Sequence, residues 1–186
     1  MKKILLLLTV LLFINMSEAQ TLWKVDKAHS SITFSVSHFM ISEVTGNFEG
    51  FDITANSNEK FESPTFEVTI NASTINTNQK GRDNHLKSSD FLEVTKYPNV
   101  FFKSTTYKQL EKGQFEVKGN LTIKNITREA VFKGKLNGII NGSNGKKKAG
   151  LKLSTIVKRE EFNLGTGMNP IGKDISVIVN IEMNQQ

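Results

Sequence analysis

Residues 114–123 read Gln-Phe-Glu-Val-Lys-Gly-Asn-Leu-Thr-Ile, and this stretch decides the class of fold. Polar residues occupy its even-numbered positions, whereas the odd-numbered ones are apolar or small: Phe115, Val117, Gly119, Leu121 and Ile123. Successive side chains of a β-strand point to opposite faces, so this period of two predicts a strand with one face in an apolar interior and the other in water.

The same alternation recurs along the chain, in residues 31–38, 65–70, 130–136, 151–157 and 175–181. Turn signals separate the stretches: a short connection at 124–127, and a hairpin marked by Asn141-Gly142 and Asn144-Gly145. Gly50 reverses the parity set by the residues before it, which predicts a bulge or bend there. About eight strands in hairpin order indicate an antiparallel closed barrel or a sandwich, and closure would remove exposed edges.

Residues 77–93 break this pattern with a polar, helical period. Asn76 or Thr77 is the predicted N-cap of a helix that carries Arg82 and His85. Arg82, Asp83 and His85 form the densest polar cluster of the chain. We expect a salt bridge between Arg82 and Asp83 that fixes this helical insertion to the barrel. Contact with a ligand head group is the next alternative, and an Asp83–His85 pair acting as an oriented base is the least favoured.

The N-terminal residues predict a secretory signal peptide. Lys2 and Lys3 precede an apolar run, and Ser17-Glu18-Ala19 puts small residues at the −3 and −1 positions of a cleavage site. We therefore expect residues 1–19 to be removed, leaving one secreted or periplasmic domain at 20–186. Without Lys2, Lys3 and Glu18, the 22 basic and 17 acidic residues that remain give a net charge of +5. The cluster at 146–148 is interpreted as a solubilising turn, with transient contact to anionic membranes as the alternative.

Several chemistries are disfavoured by composition. The chain has no cysteine, which excludes thiol catalysis and cysteine-based metal sites. Its three histidines, His29, His38 and His85, do not show the spacing of a zinc site, so we expect no metal. A secreted chain without a recognition motif is also not expected to bind nucleic acid.

The 13 phenylalanines, against one tryptophan and two tyrosines, suit a dry interior because their side chains carry no polar group. Composition alone favours an ordinary filled core. Gly46, Gly119 and Gly134 fall at inward positions of predicted strands, and we expect them to leave volume inside, which shifts the balance toward a cavity. Such a cavity would suit an alkyl or isoprenoid chain, with a few polar groups at its mouth.

An ordered set of motifs resembles the YceI-like family over residues 23–181. Its parts are Leu22–Asp26, His29–His38, Thr45–Phe48, Ser73–Thr77, Arg82–Leu86, Asp90–Leu92, Tyr97–Ser104, Gly119–Ile123 with Asn125–Thr127, and Lys158–Phe162. Leu92 departs from the family's usual second aromatic, and Asn125 from its usual glycine. The resemblance implies an all-β, eight-stranded, lipocalin-like antiparallel barrel with a bound polyisoprenoid, quinone-like or fatty-amide ligand. It also implies a periplasmic location, no established catalytic residues, no cofactor beyond the lipid, and a homodimer.

We accordingly expect a lipid-binding protein used for transport or storage. The predicted cavity lining is Phe34, Val36, Phe48, Phe51, Ile75, Phe91, Leu92, Phe102, Leu121, Phe132 and Phe162. The predicted mouth, where a head group would lie, is formed by His38, Arg82, Asp83 and His85. Two rival hypotheses remain: a lipid-modifying enzyme that uses Asp83 and His85, and a stress-protective interaction module with a filled barrel.

Overall fold

The computed structural model describes residues 20–142 and 145–186. The expected signal peptide and part of the 141–145 turn therefore lie outside the described residues. The strands are β1 Thr21–Val25, β2 Ser31–His38, β3 Ser42–Phe48, β4 Phe51–Ser57, β5 Thr65–Asn71, β6 Ile75–Asn76, β7 Asn99–Gln109, β8 Gln114–Ile123, β9 Ile126–Asn141, β10 Lys147–Lys158 and β11 Ile171–Gln185. The helix α1 spans Lys80–Lys87.

These eleven segments form the eight strands of a closed antiparallel barrel. Three of the eight strands are each divided into two segments by a bend: β1 with β2, β3 with β4, and β5 with β6. β1 and β2 run end to end along β11, with Trp23 opposite Gln185 and Ile32 opposite Val179. On their other side they pair with β4 and β3, and these pair in turn with β5 and β6. From β5 the order continues through β7, β8, β9 and β10 to β11, which closes the ring. The predicted eight-stranded barrel is confirmed.

The bend between β3 and β4 lies at Glu49–Gly50, as the parity change predicted. The Gly50 amide donates to Thr74 Oγ1 at 2.9 Å, and its carbonyl accepts from the Asn71 amide at 2.8 Å. The neighbouring strand bends beside it, at the short helical turn Ala72–Thr74 between β5 and β6. The two bends together let adjacent strands change direction without losing their pairing.

One end of the barrel is packed shut. Trp23, Phe115 and Met183 are at most 1% exposed, and the Trp23 ring meets Phe61 edge to face with centroids 5.0 Å apart. Phe61 comes from the connection between β4 and β5, which crosses this end. We call it the closed end, and its burial of large side chains supplies much of the apolar core.

The opposite end carries the helical insertion. α1 follows β6, and residues 88–98 return the chain to β7 through a series of turns. The predicted caps are wrong: the N-cap is Gln79, whose side chain accepts from the Arg82 amide, while Thr77 has a different role described below. Among residues 20–142 and 145–186, no helix is both long and apolar enough to cross a membrane.

The three inward glycines do not simply leave empty volume, which corrects the sequence-based expectation. A phenylalanine ring covers each: Phe34 lies over Gly46, Phe102 over Gly119, and Phe115 over Gly134. Phe34 and Phe115 are directly opposite their glycines on the neighbouring strand. Because glycine has no side chain, the rings of Phe34 and Phe102 can occupy the space next to the wall and need not extend to the centre of the barrel.

Candidate ligand cavity

A cavity of about 370 Å³ lies between the closed end and the helical insertion. Nine of the eleven predicted lining residues line it: Phe34, Val36, Phe48, Ile75, Phe91, Leu92, Phe102, Leu121 and Phe132. Further aliphatic residues that were not among the predicted lining also line the cavity, although their inward parity was readable from the sequence; they include Val68, Val157, Ile175 and Val177. That these residues hold a ligand stays a prediction.

Phe51 and Phe162 are corrections to the predicted lining. Both side chains are buried, at 8% and 3% exposure, but neither lines the cavity. Phe51 is the first residue of β4, directly after the bend at Glu49–Gly50, and Phe162 lies in the helical turn that follows β10. Phe162 lies outside the sheet, where alternation does not apply, whereas Phe51 keeps the inward parity of Ile53 but lies at the bend and is buried outside the cavity.

The mouth of the cavity contains His38, Arg82 and His85, as predicted, but not Asp83. Asp83 Oδ1 accepts hydrogen bonds from the Thr77 amide at 2.9 Å and from Thr77 Oγ1. Arg82 donates from Nε to Thr77 Oγ1 at 2.8 Å and from Nη2 to the Thr77 carbonyl at 2.9 Å. The expected Arg82–Asp83 salt bridge is therefore wrong: each residue binds the buried Thr77, and this joint attachment fixes α1 to the end of β6.

His85 is paired with Asp90, not with Asp83. Its Nε2 lies 3.0 Å from Asp90 Oδ2, and its ring meets Phe91 edge to face at 5.1 Å. The His85 side chain is half exposed, so it lies where the cavity opens to solvent. The enzyme hypothesis depended on an Asp83–His85 pair, and the structure does not form that pair.

Arg159 is the residue of the mouth whose role sequence reasoning missed. It is 2% exposed and lines the cavity. Its guanidinium donates to five backbone carbonyls, those of Leu164, Gly165, Met168, Ile171 and Gly172. A planar group with five donors can bind so many acceptors at once, which an ammonium cannot. Arg159 thus fixes the connection between β10 and β11 at the mouth. Its sequence signal was its place in the Lys158–Phe162 motif, which did not reveal this role.

The lysine cluster lies at the closed end, away from the mouth. Lys147 Nζ is 3.0 Å from Glu59, and Lys148 bridges Glu182 and Asp26. The Glu182 carboxylate raises the pKa of Lys148, and a hydrogen bond from His29 lowers the pKa of Asp26.

Asp26, His29 and Glu182 bring three potential metal ligands within 4.8 Å of one another, a grouping that sequence spacing did not reveal. The Lys148 ammonium contacts both carboxylates, so this charge network links the segment that follows β1 to β10 and β11.

Comparison with known proteins agrees with the geometry. The family model described as the YceI-like domain matches residues 23–183. Protein YceI of Salmonella newport is 35% identical over 191 aligned positions that cover both chains completely.

Two solved structures share the barrel. A YCEI protein of Campylobacter jejuni, 29% identical, superposes with a TM-score of 0.71 over 87% of this chain and 96% of its own. A polyisoprenoid binding domain of Saccharophagus degradans is only 12% identical but reaches a TM-score of 0.70 over 88% of this chain and 98% of its own. With the family model matching nearly all of the described barrel, this chain belongs to the YceI-like family.

Proposed function

We propose that this protein is a secreted, periplasmic binding protein that holds one long apolar lipid inside its barrel for transport or storage. The observation that carries the proposal is the cavity, which is enclosed by aromatic and aliphatic side chains and has its polar groups concentrated at one end. The ligand classes it suits are polyisoprenoid, quinone-like and fatty-acyl chains, with the head group near His38, Arg82 and His85.

The size of the cavity is in the range of small-molecule sites, which run from about 300 to 1,000 Å³. Ten buried methylene groups would contribute about 8 kcal/mol before the costs of ordering the chain. If all of it appeared as binding free energy, the dissociation constant would be about 1 μM, and the loss of translational and conformational freedom makes the true affinity weaker. A hydrocarbon tail would therefore supply most of the favourable free energy, with the polar groups at the mouth orienting the head group.

Three further points support the proposal. The structural neighbour from Saccharophagus degradans is described as a polyisoprenoid binding domain. The N-terminal sequence predicts export, which would place the barrel where membrane lipids are handled outside the cytoplasm. Binding is favoured over catalysis because the lining is mostly apolar, and the predicted Asp83–His85 pair is replaced by contacts of Asp83 with Thr77 and of His85 with Asp90. The homodimer stays a prediction.

The experiment is to purify the protein from its own host without delipidation and to analyse it by native mass spectrometry and lipid extraction. We expect a mass increment that one extracted lipid accounts for, and saturable uptake of an apolar fluorescent probe after delipidation. Ligand-free protein under all growth conditions, with no probe uptake, would favour the filled-barrel module. Turnover of polyprenyl phosphates or esters that His85→Ala abolishes while probe binding persists would favour the enzyme.

A further inference from the structure

The hairpin turn between β2 and β3 exposes three consecutive apolar side chains, Phe39, Met40 and Ile41, which we call the tip. Their exposures are 61%, 93% and 88%. Single exposed apolar residues are common on soluble proteins, but an uninterrupted run at the apex of a hairpin is not. The tip therefore needs an explanation in terms of what covers it.

The backbone of the tip makes its composition more unusual. Phe39 and Met40 have φ values of 51° and 58°, and the Ile41 amide donates to the His38 carbonyl at 3.2 Å. Positive φ at both central residues defines a type I′ turn, for which asparagine and glycine are the usual residues. Bulky side chains are disfavoured in this left-handed region. Phe39 and Met40 therefore occupy a backbone conformation that is unfavourable for their side chains. Such strained conformations are typical of residues with a functional role.

The tip adjoins the mouth of the cavity. The rings of His38 and Phe39 meet edge to face with centroids 4.5 Å apart, and His38 lines the cavity. The Phe39 amide donates to the Pro170 carbonyl at 2.7 Å, which connects the tip to the segment that Arg159 fixes. The tip is therefore held rigidly beside the opening, at the opposite end of the barrel from Trp23.

We infer that the tip inserts into the surface of a phospholipid bilayer and holds the mouth of the barrel against it. A specific protein interface buries about 800 Å² on each partner, which three side chains on a three-residue turn do not supply. A bilayer requires no shape complementarity and accepts a small apolar wedge at the boundary between head groups and acyl chains. The inference rests on the proposed function for the nature of the cargo, but not for the contact itself.

The test measures binding to vesicles of phosphatidylethanolamine and phosphatidylglycerol by co-sedimentation. The variant Phe39→Asn/Met40→Gly/Ile41→Thr removes the apolar tip and installs the residues that a type I′ turn prefers, so it should fold at least as well. The matched control is Ile140→Thr, which removes a side chain that is 64% exposed near the closed end. We expect the triple variant to lose at least about tenfold in vesicle partitioning and the control to match the wild type.

A second measurement locates the contact directly. Because the chain has no cysteine, Met40→Cys and Ile140→Cys each give a single labelling site for an environment-sensitive fluorophore. Vesicles should shift the emission of the label at 40 to shorter wavelength and leave the label at 140 unchanged. An unchanged label at 40 overturns the inference, and so does equal vesicle binding by wild type and triple variant. A concentration-dependent dimer that the triple variant abolishes, without vesicle binding, would assign the tip to a second copy instead.

The two proposals fail separately. Uptake of an apolar probe in the absence of vesicles tests the cavity, and the triple variant should retain it because the tip does not line the lumen. Vesicle insertion without probe uptake would contradict the lipid-carrier function and support the membrane contact. Probe uptake without vesicle insertion would support the carrier function and contradict the membrane contact.

Discussion

The ring of Phe34 on β2 reaches over Gly46 on β3 with its outer edge, so that a Cβ atom at position 46 would be 2.5 Å from Phe34 Cζ. The same Cβ would also meet Thr77 Cγ2 at 2.8 Å. The glycine at position 46 therefore has two effects. It lets the Phe34 ring pack against the wall of the cavity, and it leaves room for Thr77, which fixes α1.

Gly46→Ala should force the Phe34 ring toward the lumen. We expect a loss of about 1–3 kcal/mol in the free energy of unfolding, because the added methyl group overpacks a close contact. Probe uptake should weaken as well, since the displaced ring takes up ligand volume. Denaturant unfolding and probe titration measure the two effects. Gly138→Ala is the control, because a Cβ there has no neighbour within 4 Å and should change neither quantity.

Val177→Trp should fill the cavity without unfolding the barrel. Val177 lines the cavity from β11, between Phe34 on one neighbouring strand and Thr155 on the other. We expect probe affinity to fall at least tenfold while the free energy of unfolding falls by no more than about 1–3 kcal/mol, the range for large-for-small core substitutions, because the ring enters existing empty volume. Ile178→Trp adds the same group at the next residue, which does not line the cavity, and should bind the probe normally. Equal affinity in both variants would show that the probe binds elsewhere.

Arg159→Met should loosen the connection between β10 and β11. Five carbonyls lose their donor, and at about 1 kcal/mol for each hydrogen bond the loss should reach 3 kcal/mol or more. Hydrogen exchange should accelerate in residues 160–171 before the rest of the barrel. Arg128→Met removes an exposed arginine that donates to the Thr127 carbonyl and should have little effect. Unaltered exchange in the Arg159 variant would contradict the structural role assigned to this residue.

Thr77→Val should release the helical insertion from the barrel. The hydroxyl that Arg82 and Asp83 share is lost, and with it two hydrogen bonds, which at about 1 kcal/mol each should cost about 2 kcal/mol. We expect faster hydrogen exchange in residues 80–98 and faster release of a bound probe in stopped-flow measurements. Thr77→Ser keeps the hydroxyl and is the matched control. Identical release rates in the two variants would mean that α1 does not limit ligand exit.

Much of the fold was predictable from short-range pattern. The period of two along β8 and its partners predicted the strands, and the reversed parity at Gly50 predicted the bend. The polar helical stretch predicted α1, although Gln79, not Asn76 or Thr77, forms its cap. Inward parity likewise placed nine of eleven lining residues correctly, and it failed at Phe51 and Phe162 because the wall bends or leaves the sheet there.

The polar partners at the mouth were not predictable from spacing. Asp83 and His85 are two residues apart on a helix, where side chains two positions apart do not face each other, and each has a partner outside the expected pair. Arg159 takes its five acceptors from the connection that follows it, and the path of that connection is set by how the barrel closes. The tip was missed for a related reason: sequence alone shows Phe39, Met40 and Ile41 as apolar, and only the structure shows that nothing in the described chain covers them.

The sequence by itself determined antiparallel strands with one apolar face, because alternation is a local property of each strand, but alternation left a closed barrel and a sandwich as alternatives. Only the tertiary structure decided that the inside is hollow, that one end is packed shut by Trp23 and Phe115, and that the other opens beside an exposed apolar turn. Whether inward rings meet or lie back against the wall depends on the radius of the barrel and on which residue faces each ring across the strands. Those are long-range properties that no single strand encodes.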